Sequence, residues 1–125
     1  MVELVVALVI IAIVSLATVS LIITQNNMNQ KATQVIEATN VAENAIECFR
    51  FAVNDPDTSI SVEDKFEIAF GKTLGENYDF GDAQGEYIIN KHGATITIEI
   101  DGNKITITAI ASDGDIIIDN KSYSK

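Results

Sequence analysis

The sequence has one cysteine, one proline, one histidine and no tryptophan among its 125 residues. A single cysteine excludes an intramolecular disulfide and a cysteine-rich zinc site. Basic residues are scarce too, since 8 Lys and Arg against 18 Asp and Glu give a formal net charge of −10. Because contacts to phosphates need lysine and arginine, we expect no nucleic-acid binding by the monomer.

Known catalytic signatures are also missing. The sequence contains no P-loop, GxSxG, HExxH or CxxC motif. The lone histidine, His92, precedes Gly93 and predicts a turn with positive φ at the glycine. We therefore expect no enzymatic activity and no cofactor.

The charges are distributed very unevenly. Glu3 is the only ionisable side chain in residues 1–30, whereas residues 31–125 hold all 8 basic residues and 17 acids, a net charge of −9. Yet 47% of the whole chain is hydrophobic. The sequence thus predicts an apolar segment followed by an acidic domain.

Residues 4–24 are apolar except for four hydroxyl residues, Ser15, Thr18, Ser20 and Thr24. A membrane-spanning helix needs roughly 20 such residues, and lipid favours a helix because every backbone group must be paired internally. The hydroxyls can donate to the carbonyl four residues earlier. A cleaved signal peptide is disfavoured, since no basic residue precedes the run and no small-x-small cleavage site ends it. An ordinary signal anchor stays open.

Glu3 has two interpretations on the residues alone. A carboxylate at the edge of a hydrophobic span is either solvated at the headgroup level or paired with a cation.

The first 14 residues resemble the N-terminal helix of bacterial type IV pilins and pseudopilins. The family pattern is a basic leader ending in glycine, then Phe-Thr/Ser-Leu/Met-Val/Ile-Glu-Leu and a long aliphatic run. Residues Met1, Val2, Glu3 and Leu4 match the last four positions of that start motif. An aliphatic run begins at the last of these positions. The resemblance implies that this run lies in the membrane before assembly and in the filament core afterwards. It comprises Leu4, Val5, Val6, Ala7, Leu8, Val9, Ile10, Ile11, Ala12, Ile13 and Val14.

The resemblance implies a function in assembly. In that family the glutamate matching Glu3 meets the N-terminal amine of a neighbouring subunit. The implied partners are other pilin subunits, membrane lipid, an inner-membrane assembly machine and, if a leader exists upstream, a prepilin peptidase. The implied location is the cell membrane, with one span and the head outside the cytoplasm, and a surface filament after assembly. The leader, its glycine and the first two mature residues are absent here, so we expect a longer precursor; if Met1 is the true start, processing and N-methylation cannot follow the family pattern.

Three functions compete. The first is a subunit of a type IV pilus or related filament. The second is a pseudopilin of a type II secretion or DNA-uptake machine. The third is a membrane-anchored binding domain that never polymerises.

The helix is predicted to continue to Asn54, because no glycine or proline occurs before Pro56. We divide the chain into a membrane or filament-core half (1–24), an amphipathic continuation (25–54) and an acidic globular head (55–125). Polar positions of the continuation include Gln34, and Cys48 is predicted to be a small buried hydrophobe. The predicted apolar stripe comprises Ala32, Val35, Ala38, Ala42, Ala45, Ile46, Phe49, Ala52 and Val53.

The head reads as helix, loop and strands. Ser61 begins a capping-box-like pattern, which predicts a short helix at 62–70 that stops at Gly71 or Gly75. A loop at 71–85 and alternating strands over about 86–118 follow. The predicted fold is α+β, a long N-terminal helix on an antiparallel meander of three or four strands.

The acidic loop offers weak candidates for a Ca²⁺ site, because Ca²⁺ prefers oxygen ligands. Their spacing matches no EF-hand, so a solvated loop is the favoured interpretation and no metal is expected. These candidates are Glu76, Asp79, Asp82 and Glu86.

Overall fold

A computed structural model describes residues 1–74, 79–80 and 85–125. These residues form a long helix packed on an antiparallel sheet, so the predicted α+β fold is confirmed. The elements are α1 (Val2–Asn54), α2 (Val62–Leu74), β1 (Asp79–Phe80), β2 (Glu86–Lys91), β3 (Ala94–Asp101), β4 (Lys104–Ile110) and β5 (Ile116–Ser124).

Two compact units make up the chain. The apolar unit comprises Met1–Ala32, and the folded unit comprises Thr33–Lys125. Helix α1 contributes residues to both.

Helix α1 ends at Asn54, as the following Asp-Pro pair predicts. Helix α2 begins where expected, because the Ser61 hydroxyl accepts a hydrogen bond from the Asp64 amide at 3.2 Å. The predicted bound at residue 70 and the stop at Gly71 are wrong, since the helix continues through Gly71; it ends at Leu74, directly before Gly75, the second predicted stop. A glycine inside a helix costs only about 1 kcal/mol, which the burial of Phe66 and Phe70 in the preceding turns offsets.

The strands form one antiparallel meander in the order β1-β2-β3-β4-β5. The sheet therefore has five strands rather than three or four, because the predicted loop 71–85 contains the two-residue strand β1. Strand β5 also runs to Ser124, beyond the predicted end near 118. Its polar second half does not show the alternation of a half-buried strand, so the sequence pattern misses it.

The core lies between the inner face of the sheet and the helices. Five α1 residues of the predicted stripe are fully buried: Ala38, Ala42, Ala45, Phe49 and Ala52. Four of these are alanines, whose short side chains permit close approach of the helix to the sheet. The isoleucines Ile96, Ile98, Ile105 and Ile107 supply the opposite surface.

The stripe departs from the prediction at its start. Ala32 is exposed and Val35 is 40% exposed, whereas Val41 and the polar Gln34 are buried. Ile46 and Val53 are only partly buried.

Ring contacts show which strands the helices cover. Phe49 of α1 meets Tyr123 of β5 edge to face, with ring centroids 6.2 Å apart. Phe66 of α2 stacks on Phe70 at 4.9 Å and contacts Tyr87 of β2 at 5.3 Å. Helix α1 therefore covers the β5 side of the sheet, and α2 covers the β2 side.

Candidate functional site

The apolar unit exposes every one of its side chains. Its large aliphatic residues between Val2 and Ile23 are each between 50% and 77% exposed, and they lie on all sides of the helix. A helix that is apolar on all sides is typically covered by lipid or by other protein, because exposing so much apolar surface to water is unfavourable in free energy. Among the described residues, this is the one helix long and apolar enough to cross a membrane.

The hydroxyl residues of this segment are compatible with an apolar surrounding. Ser15 donates to the Ile11 carbonyl at 2.7 Å, Thr18 to Val14 at 2.8 Å and Thr24 to Ser20 at 2.9 Å. These bonds to the residue four positions earlier match the sequence-based expectation. The hydrogen-bond donors of these three hydroxyls are thus satisfied within the helix, without water.

Glu3 lies in the first turn of α1 and is exposed. The positive end of the helix dipole favours a carboxylate at this position. Within the described part of the chain, Glu3 forms no ion pair. Its assigned function in assembly therefore stays a prediction, which needs a cation from outside this chain's own fold.

Within the folded unit, a polar clasp fastens the α1 residues 33–54 to the turns after β2 and β4, and the sequence pattern gave no sign of it. The Gln34 side-chain amide donates to the His92 carbonyl and to the Ser112 hydroxyl, both at 3.0 Å. Its carbonyl oxygen accepts from the Ser112 amide at 3.4 Å. Gln34 is 7% exposed, although the sequence places it among the polar positions. Its burial is possible because these partners satisfy the amide.

The turn beneath the clasp has positive φ at Gly93, as the sequence predicts, and also at His92, which the sequence did not predict. His92 and Gly93 both adopt positive φ, 51° and 86°. A Cβ at Gly93 would lie 3.2 Å from Gln34 Nε2 and 3.3 Å from Ser112 Cβ. Glycine here thus permits both the turn and the close approach of Gln34.

A small ionic cluster adjoins the clasp. Glu37 pairs with Lys91 at 3.0 Å, and its other oxygen lies 3.9 Å from His92 Nε2. The hydrogen bond from Lys91, with the positive charges of Lys91 and His92, holds the pKa of Glu37 below its usual value. These residues face solvent in part, so the cluster is a surface ion-pair network that joins α1 to the turn after β2.

A buried cation lies at the connection between the helices. Lys65 is 8% exposed; it donates to the Asp57 carbonyl and lies 3.8 Å from an Asp55 carboxylate oxygen. The Asp57 carboxylate accepts hydrogen bonds from the Ser59 hydroxyl and amide, which lower its pKa. Asp55 and Asp57 thus shape the turn around Pro56, where the Asp55 carboxylate also accepts from the Asp57 amide at 3.0 Å, and the sequence pattern gave no sign of the buried Lys65.

Of the four candidate metal ligands, the structure describes the side chain of Glu86 alone, so the candidate site stays a prediction. Glu76 and Asp82 lie outside the described residues, and so does the side chain of Asp79. Glu86 lies on β2 opposite Glu99. No group of three or more potential ligand residues occurs within residues 1–74, 79–80 and 85–125. Cys48 is half-buried against the core and not fully enclosed.

Comparison of the chain with protein-family models, with curated proteins and with solved structures finds no match. The apolar unit, with its single carboxylate, is the feature of this chain that most needs a functional explanation.

Proposed function

We propose that this protein is the structural subunit of a type IV pilus or a related surface filament, assembled through its N-terminal helix. The observation that carries the proposal is the fully exposed apolar unit, whose only ionisable side chain is Glu3. The resemblance of residues 1–14 to the pilin start motif supports it. The α+β architecture is compatible with it.

The physics of the apolar unit suits two successive environments. Before assembly, lipid covers the aliphatic surface and the folded unit lies outside the cytoplasm. After assembly, the same surface packs against the helices of other copies. Because both environments are apolar, transfer between them requires no large change in hydration.

Pairing of Glu3 favours the assembled state over the free subunit in the membrane. An unpaired carboxylate in an apolar surrounding costs several kcal/mol, and a cation from a neighbouring subunit offsets much of that cost. The N-terminal amine of that neighbour is the cation that the family resemblance implies. A copy that docks in register therefore gains an ion pair that a misplaced copy lacks.

The test is the substitution Glu3→Ala in the full-length chain in its native host. We expect at least a roughly tenfold loss of protein in sheared surface filaments, because the pairing is lost. Retention in the membrane, measured by carbonate extraction, should be unchanged or higher. Glu43→Ala is the matched control, since Glu43 is an exposed carboxylate on the same helix and has no ion pair in the described part of the chain.

Equal incorporation of the Glu3→Ala variant and the parent into filaments would contradict the pairing mechanism. Wild-type protein that stays in the membrane and forms no oligomer would instead indicate a non-polymerising anchored domain. Electron microscopy separates a pilus subunit, which gives long surface fibres, from a pseudopilin, whose loss impairs secretion or DNA uptake.

A further inference from the structure

The folded unit carries 7 Lys and Arg against 17 Asp and Glu, so its cations are few and their positions can be followed one by one. Three of these cations are engaged by carboxylates of the same unit: Lys91 by Glu37, Lys65 by Asp55 and Arg50 by Glu47. Two others, Lys121 and Lys125, lie at the edge strand β5 and the residue that follows it.

Three of these cations surround the Tyr123 side chain, and we call them the basic seam: Arg50, Lys121 and Lys125. The Arg50 guanidinium lies 5.8 Å from the centre of the Tyr123 ring. Lys121 and Tyr123 pair with Ile107 and Ile105. Both isoleucines are buried, so the two β5 side chains share the α1 side of the sheet. The Lys125 ammonium donates to the Val53 carbonyl at 3.3 Å, next to the end of α1.

The basic seam lies along an open edge. β5 is the last strand of the sheet, so one side of its backbone has no neighbouring strand. Lys121 is exposed and forms no ion pair within the described ranges. A carboxylate of a partner can therefore reach Lys121 without displacing an ion pair of the described residues.

An acidic pair on the same unit lacks a cation. Glu86 of β2 stands directly opposite Glu99 of β3, and like charges in that position destabilise a sheet. Neither forms an ion pair in the described part of the chain. The other cross-strand partner of Glu99 is the uncharged Thr106. The nearest lysine on this face, Lys104, is opposite Asp101.

The basic seam and the acidic pair cannot meet within one chain. Glu99 is exposed and alternates with buried isoleucines, so it faces away from α1, whereas Lys121 lies on the α1 side. The strands that carry them are also two to three positions apart in the sheet, about 10–15 Å at ~4.8 Å per strand. Pairing between the basic seam and these two glutamates thus requires a second chain.

We propose that the basic seam of one copy docks on the acidic pair, Glu86 and Glu99, of a second copy. This inference deepens the proposed function and rests on it, because it names the contact between folded units in the filament. A contact between two different patches is heterologous, and such contacts build open helical polymers when the rotation does not close. It also relieves the repulsion that strongly acidic units exert on one another.

Zero-length cross-linking tests the contact in filaments of the full-length chain, assembled from a mixed pool of isotope-labelled subunits. Equal amounts of ¹⁴N- and ¹⁵N-labelled protein are treated with a carbodiimide, which joins a lysine amine to a carboxylate in direct contact, and peptides are identified by mass spectrometry. We expect mixed-isotope peptides that link Lys121 to Glu86 or Glu99. The intrachain pair Lys91–Glu37, at 3.0 Å, is the internal positive control.

The contact is overturned if Lys91–Glu37 peptides form but Lys121 is linked to neither glutamate, or is linked instead to Glu63 or Glu67 of α2. A charge swap adds a second measurement. Lys121→Glu should lower the cross-linked oligomer yield roughly 3–10-fold. Adding Glu99→Lys should restore it to within about twofold, and adding Glu67→Lys should not; equal rescue by both would overturn the specific contact.

The two proposals fail in different ways. Filaments that form without the Lys121 cross-link refute this contact alone. Cross-links that persist at parental yield in Glu3→Ala, together with unchanged filaments, refute the Glu3 mechanism and leave the contact standing.

Discussion

Replacing Gln34 by alanine tests how the clasp fastens α1 to the sheet. The variant loses the two bonds that the Gln34 amide donates at 3.0 Å, to the His92 carbonyl and the Ser112 hydroxyl. A net contribution of about 1 kcal/mol per bond gives a loss of about 2 kcal/mol. We add no further penalty for the abandoned partners, because His92 and Ser112 are exposed and water can replace the amide.

The loss corresponds to a large change in melting temperature. At about 4–8 °C per kcal/mol for a domain of this size, Gln34→Ala should lower Tm by roughly 8–16 °C. The assay is thermal unfolding of the full-length chain in detergent, followed by near-ultraviolet circular dichroism of the tyrosines in the folded unit. Asn44→Ala is the matched control, because it removes an exposed amide from the same helix and should change stability by less than about 0.5 kcal/mol.

A Tm for Gln34→Ala within about 2 °C of the Asn44→Ala value would show that the clasp does not stabilise the fold. Gln34→Glu provides a second check, since a carboxylate keeps the size of the side chain but cannot donate to the His92 carbonyl. We expect it to be as destabilising as alanine or more so, because it also places a charge near Glu37.

Two further predictions concern the same end of the folded unit. Gly93→Ala should destabilise it by more than Gly102→Ala, because both have positive φ but only a Cβ at Gly93 meets neighbouring atoms within 4 Å; equal Tm losses would exclude crowding as the cause. The lowered pKa of Glu37 means that its stabilising effect is present above pH 4.5 and is lost as pH falls through the lower folded value. Thermal melts should thus show different Tm values for the parent and Glu37→Gln near pH 6, and the difference should shrink as the pH falls below 4.5; a Tm difference independent of pH would exclude the ionised pair as its source.

The fold was largely predictable because hydrophobic periodicity records which face of each element is buried. The alternation of Ile96, Ile98 and Ile100 with polar residues fixes one strand and its inner face. The Asn54-Asp55-Pro56 sequence likewise fixes the end of α1. Both signals are local, so they can be read without knowledge of what packs against them.

Features that depend on distant partners were not predictable. Gln34 is buried only because residues 58 and 78 positions away supply hydrogen-bond partners. Lys65 is buried for the same kind of reason, since Asp55 and Asp57 come close only after the chain turns between the helices. In the candidate site, the apolar residues were evident from composition, whereas the described residues supply no ion-pair partner for Glu3, so its pairing stays a prediction.

The order of the elements has a consequence for synthesis. The ribosome produces α1 first, and the strands that bury its alanine-rich face emerge last. At about 5–20 residues per second, the interval between Ala52 and Ile105 lasts roughly 3–10 s. A stripe of leucines left uncovered for that time would attract the bilayer or other nascent chains. The alanines of this face expose little apolar area before the strands are made. The nascent chain therefore has a low risk of misassembly in that interval. These alanines are Ala38, Ala42, Ala45 and Ala52.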